Sequence, residues 1–169
     1  YAFEPHYNGT EKYIGLDLSL KDSSRLVFTD DTFSISDGFE LYTCNSEKKK
    51  FSLGSFGLNM KTDETFEPDD FRHEHYLLIK ENGRKILISG CSHKGIPDIT
   101  AWFSPDVLIG GFHFSKLPLD VQLAEYARFL DNFPTEYYTC HCTGIEQYEF
   151  MKKYMKNLHY LSCGESIEL

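Results

Sequence analysis

The stretch Ile86-Leu87-Ile88-Ser89-Gly90-Cys91-Ser92-His93 decides how the rest of the chain is read. An apolar run of strand length ends in glycine, and an imidazole follows at once, so His93 sits just past the end of a buried strand. The same arrangement occurs twice more: His113 follows Val107-Leu108-Ile109-Gly110-Gly111-Phe112, and His141 follows Tyr137-Tyr138-Thr139-Cys140. Three strand-end histidines predict one shared rim. In α/β proteins that rim is where ligands bind, and imidazole is the commonest side chain for holding zinc, iron or manganese at neutral pH.

Upstream of this stretch, His75 to Lys80 and Lys85 to Ser89 flank Glu81-Asn82-Gly83-Arg84. Asn-Gly tolerates positive φ at both central turn positions, which predicts a hairpin with a type I′ turn. Earlier still, Tyr13 to Leu16, Leu26 to Phe28, Phe33 to Ser36 and Gly38 to Tyr42 read as strands, and residues 43–68 as a loop or irregular arm. Downstream the pattern changes to alternating helix and strand. Pro97 to Phe103 predicts a short helix, 106–111 a buried strand, and Asp120 to Asn132 an amphipathic helix with Leu123, Ala127 and Leu130 on one face.

Thr143-Gly144-Ile145-Glu146 matches a capping box, in which a hydroxyl and a carboxylate satisfy each other's backbone donors. Ile145, Tyr148, Met151, Met155 and Leu158 then recur at helical spacing and predict core contact. Two short strands, Tyr160 to Ser162 and Ser166 to Leu169, are expected to close the chain.

A chain of 169 residues, 41% hydrophobic, is large enough for one compact domain. Seventeen basic against 26 acidic residues give a net charge of −9, which argues against nucleic acid or anionic membrane as partner. Lys48-Lys49-Lys50 reads as a solvated turn. No window approaches the roughly 18 apolar residues of a membrane span, and no signal segment opens the chain, so a soluble, cytoplasmic protein is expected. Five cysteines without disulfide-framework spacing fit a reducing compartment.

His141 lies between Cys140 and Cys142, and in an extended segment the two cysteines point away from it. They are therefore set aside as ligands, and Cys-x-Cys fits neither a zinc-finger half nor a CxxC redox pair. The Thr143 hydroxyl and the amides of Gly144 and Ile145 form a candidate anion site for a substrate phosphate or carboxylate. The alternative is that Thr143 only caps the helix. His73 and His75 share one face of an extended segment, but they precede a hairpin strand, which predicts a place at the opposite edge or on an arm, away from the rim.

In order, Gly90-Cys91-Ser92-His93-Lys94-Gly95-Ile96, Gly110-Gly111-Phe112-His113-Phe114 and His141-Cys142-Thr143-Gly144 resemble the metallo-β-lactamase superfamily. The branch they are most similar to contains relatives of dihydropterin–aminobenzene ribofuranosyl phosphate synthase. The likeness runs from Asp69 to Leu169, including the entry Asp69-Asp70-Phe71-Arg72-His73-Glu74-His75; residues 1–68 match only loosely. The resemblance implies the α/β (α+β) class and an αββα sandwich of mixed sheets with outer helices. It also implies a centre of one or two divalent transition-metal ions, zinc first and iron or manganese next. Carried over, His93 looks like the later ligand of the first metal and His141 like the last ligand of the second. His113 falls where many members carry an acidic or thiolate ligand.

The family's His-x-His-x-Asp-His signature does not occur in this sequence. Residues 1–169 therefore look like a single domain that is the second half of such a protein, with the signature half upstream, in keeping with a first residue that is Tyr rather than Met. The implied function is a metal-dependent hydrolase of a small anionic ester, phosphorylated esters included, with the isolated chain a poor catalyst. The other expectation is a catalytically incomplete fragment or degenerate relative that serves as a binding or oligomerisation module. Either way the chain is expected to need the missing half or a second copy as partner.

Overall fold

A computed structural model describes residues 3–169. In chain order the strands and helices are β1 (His6–Asn8), β2 (Lys12–Tyr13), β3 (Thr32–Ser36), β4 (Phe39–Tyr42), β5 (Leu58–Thr62), β6 (Thr65–Pro68), β7 (Tyr76–Glu81), β8 (Arg84–Ser89), α1 (Ile96–Phe103), β9 (Val107–Gly110), α2 (Val121–Asp131), β10 (Glu136–Thr139), α3 (Ile145–Met151) and β11 (Leu158–Tyr160). They form a four-stranded sheet, β2-β1-β5-β6, and a seven-stranded sheet, β11-β10-β9-β8-β7-β4-β3. The larger sheet is mixed. Strands β8 to β11 pair in parallel, while β3, β4, β7 and β8 pair antiparallel.

The β7–β8 hairpin forms as its turn chemistry dictates, with Asn82 at φ 51° and Gly83 at φ 76°. Parallel pairing beyond β8 requires crossovers, and α1, α2 and α3 supply them. Pro97 lies in the first turn of α1, and the Asp120 carboxylate caps α2 by accepting from the amides of Gln122 and Leu123.

Strand alternation divides the large sheet into two faces. Leu78, Leu87, Leu108 and Tyr137 stand in register on one face and are buried in a cluster with Ile96 and Ile99 of α1, Leu123, Ala127 and Leu130 of α2, and Tyr148 and Met151 of α3. On the other face the row Leu77, Ile88, Ile109 and Tyr138 is only partly covered, with Ile88 38% exposed. Among the described residues no helix is long and apolar enough to cross a membrane.

Several elements differ from the sequence reading. Leu26 to Phe28 forms no strand, whereas the supposed arm contains the β5–β6 hairpin, its turn at Asp63 and Glu64. Helix α3 stops at Met151; Met155 and Leu158 still reach the core, from the segment after the helix and from β11, while Ile145 is exposed, so the spacing located the buried Tyr148, Met151, Met155 and Leu158 but neither the place of Ile145 nor the helix length. Of the two closing strands only β11 forms, shifted to start at Leu158, because it pairs beside Tyr137–Thr139. The capping box does not form. Gly144, at φ 83°, is the N-cap of α3 without a side-chain bond, because the Thr143 hydroxyl is buried and accepts from the Phe112 amide at 2.9 Å.

Candidate metal centre

The ends of β8, β9 and β10 lie side by side, and each is followed by a residue in the left-handed region: Ser92 (φ 59°), His113 (φ 55°) and His141 (φ 49°). Non-glycine residues populate that region sparsely, and such strain collects at functional sites. The sharp turns bring the chain back over the rim. Hydrogen bonds from the Gly111 amide to the Gly90 carbonyl (2.8 Å) and from the Ser115 amide to the Cys142 carbonyl (3.1 Å) tie the three segments together.

Cys91 is the hub. One ligand atom from each of Cys91, His113 and Cys142 lies within 4.8 Å of the others. The His141 Nδ1 atom is 3.7 Å from the Cys91 sulfur, and the rings of His93 and His113 are 4.4 Å apart. All three sequence-predicted histidines therefore gather round one thiol. Gly111 makes this possible, since a Cβ there would come within 2.5 Å of the Cys142 sulfur.

The donor set suits a transition metal, thiolate and imidazole together being typical of zinc. The His113 Nδ1 atom is buried without a hydrogen-bond partner, as a nitrogen reserved for a ligand would be. Hydrogen bonds from Cys142, His113 and His93 hold the Cys91 thiol well below its ordinary value, which favours the ligating thiolate; the same pairing, with burial, pushes Cys142 up.

Glu74 orients His93. Its buried carboxylate accepts from the His93 amide (2.7 Å), the Lys94 amide (3.1 Å) and the Tyr76 hydroxyl (2.6 Å), and lies 3.3 Å from His93 Nδ1. A carboxylate on one ring nitrogen fixes the ring and leaves Nε2 for a ligand. Burial opposes protonation of His93, but hydrogen bonds to Cys91 and Glu74 and the charges of both raise it to about 9. Burial likewise opposes ionisation of Glu74, yet hydrogen bonds from His93 and Tyr76 carry it below its ordinary value.

Two expectations are corrected here. Strand alternation sets Cys142 aside, but residues 141–143 form a 3-10 turn, to which a two-residue period does not apply, and its sulfur joins the cluster. The sequence pattern predicts His73 at the opposite edge or on an arm. Because β7 runs antiparallel to β8, with Tyr76 opposite Ser89, the entry to β7 lies at the same rim as the exit from β8, and His73 lines a cavity together with His93. His75 turns away, bonded to the Thr29 hydroxyl (3.0 Å) and the His73 carbonyl (2.9 Å), so the two do not chelate as a pair. At the anion site expected on Thr143, Gly144 and Ile145, the Thr143 hydroxyl is already engaged by Phe112 and Thr139. Glu74 carried no signal of its own in the sequence; only the antiparallel register places it behind His93.

A cleft of about 390 Å³ opens beside His93, lined among others by Lys49, Lys50, Phe71, Asp69 and Asp70. Its outer wall is fixed by Asp98 of α1, whose buried carboxylate accepts from the amides of Lys50 (2.9 Å) and Phe51 (3.0 Å).

No protein-family model matches the sequence, and a search of curated proteins finds no match. Among solved structures the chain is similar to Tm1679, a metal-dependent hydrolase of the β-lactamase superfamily, with a TM-score of 0.83 and 21% identity over 99% of this chain and 68% of that one. At that identity the likeness is one of fold, and it agrees with the mixed α/β architecture.

Proposed function

We propose that this chain forms part of a metal-dependent hydrolase acting on a small anionic ester, with phosphorylated esters the first to examine. The observation that carries the reading is the convergence of His93, His113 and His141 on Cys91 and Cys142 at the ends of three parallel strands. The description of Tm1679 as a metal-dependent hydrolase supports it. A zinc ion, or iron or manganese, held by these residues would act as a Lewis acid toward the ester.

The chain's own residues supply the setting. Glu74 orients His93, Asp98 fixes the loop carrying Lys49 and Lys50, and those exposed ammonium groups attract an anion into the cleft. In this reading residues 1–169 form one domain whose half-covered sheet face receives a further layer, supplied by additional chain or a second copy, that completes the ligand set. The isolated chain is accordingly a weak catalyst.

Cobalt(II) titration tests the centre. The expected result is a thiolate-to-cobalt charge-transfer band that Cys91→Ser and Cys142→Ser remove, and affinity lowered at least about tenfold by His93→Ala. Metal-dependent turnover of an aryl phosphate, abolished by a chelator, tests the chemistry. No cobalt binding, or binding indifferent to all three substitutions, rejects the reading.

The partly exposed row Leu77, Ile88, Ile109 and Tyr138 favours a second reading, in which this face is a binding or oligomerisation surface without catalysis. Sedimentation showing a monomer at high concentration counts against a second copy as its cover.

A further inference from the structure

A second cluster of metal-binding residue types lies on the other side of His93 and shares no residue with the rim cluster. His6 comes from β1 of the small sheet, Asp69 follows β6, and His73 lies in the turn that enters β7 of the large sheet. One ligand atom from each lies within 4.8 Å of the others. His6 Nδ1 is 2.7 Å from Asp69 Oδ2, and the rings of His6 and His73 are 4.1 Å apart.

Three features distinguish this cluster from an ordinary histidine–aspartate pair. His6 and Asp69 are 5% and 6% exposed, so the polar groups are withdrawn from water. The second imidazole adds a buried Nδ1 atom that has no hydrogen-bond partner in the protein, an arrangement that calls for an occupant. Asp69 is also pre-positioned, because its Oδ1 accepts from the Phe71 amide at 2.8 Å and turns Oδ2 toward the histidines. Residues 63 and 67 positions downstream of His6 would not be held this way by local sequence alone.

We propose that His6, Asp69 and His73 form a second site for a divalent first-row transition metal, at the junction of the two sheets. Two imidazoles and one carboxylate are a donor set taken by zinc, iron and manganese alike, and one carboxylate with neutral imidazoles leaves the ion a net positive charge. Three protein ligands leave coordination positions open toward an adjoining cavity of about 200 Å³, whose wall includes Gly15, Leu58, Phe71 and His93. Phe71 stacks on the His93 ring at 4.6 Å, and its ring lies 6.3 Å from that of His73. The ion cross-links the small sheet to the entry of β7, next to the turn that carries Glu74, so its binding also stabilises the mouth of the cleft.

Cobalt(II) binding to the full chain, measured by equilibrium dialysis with optical spectra, separates this site from the rim. In the Cys91→Ser/Cys142→Ser variant one ion per chain is expected to remain, without a thiolate charge-transfer band. Adding His73→Gln or Asp69→Asn is expected to weaken that ion at least tenfold, Asn keeping a carbonyl oxygen for the Phe71 amide. His73→Gln in the otherwise unaltered chain is expected to retain the thiolate band, which also shows that the variant folds. The proposal is overturned if the double-serine variant binds no cobalt, or if its affinity is unchanged by both His73→Gln and Asp69→Asn. Absence of a thiolate band in the unaltered chain would instead count against the rim centre and leave this site standing.

Discussion

Replacing Glu74 by Gln tests whether the carboxylate behind His93 organises the site. Four donors converge on it: the His93 amide and Nδ1 on one oxygen, the Lys94 amide and the Tyr76 hydroxyl on the other. Glutamine keeps the shape but offers one oxygen, so in either orientation its amino group faces two of those donors. At 8% exposure little water reaches them. A buried donor left without an acceptor costs about 1–3 kcal/mol, and two such donors, eased by rotation of the Tyr76 hydroxyl or a small shift, give a loss of about 2–4 kcal/mol. Urea unfolding at neutral pH should show this as a lowered midpoint with an unchanged slope. Cobalt affinity at the rim should fall about tenfold as His93 loses its orientation. A midpoint change worth less than about 0.5 kcal/mol, with cobalt affinity intact, would refute the assignment of Glu74 as positioning residue.

Other outcomes follow from the same structure. The Glu74 carboxyl is held below its ordinary value of 4.5 in the folded chain, so its contribution to stability is fully present above that pH and lost as pH falls through the lower folded value. Acid unfolding below 4.5 should therefore be less steep in Glu74→Gln, and identical slopes would contradict the pairing. In Gly110→Ala a Cβ would meet the Ser89 carbonyl oxygen of β8 at 2.5 Å, a backbone atom that cannot swing aside, and a loss of about 2–3 kcal/mol is expected by calorimetry. On β8 itself, Leu87→Ala removes a fully buried side chain and should cost about 2–5 kcal/mol, while Ile88→Ala, on the open face, should cost less than half as much. Equal costs would show that a further layer covers Ile88 in solution.

Much of the rim was legible because its signals are local. Apolar runs closed by glycine located β8 and β9, Asn82-Gly83 fixed the β7–β8 register, and the histidines just after three strands had to share one edge once those strands paired in parallel. Residues whose role depends on partners far along the chain were not legible. Cys142 joined the cluster only because a 3-10 turn replaced extended chain, and Thr143 left its helix to hold Phe112. Glu74 and His73 gained their positions from the antiparallel return of β7 beside β8, and His6 from a sheet that the polar, glycine-punctuated first residues did not announce.

The sequence by itself determined the order of strands and helices from β7 to β11, the buried face of α2, and the histidines that end up along one rim. These follow from periodicity and turn chemistry, which act over a few residues. Only the tertiary structure decided which thiols stand beside those histidines, which carboxylate orients His93, and that His6, Asp69 and His73 meet, because each depends on the register between strands separated by tens of residues, where a shift of one position turns every side chain to the opposite face.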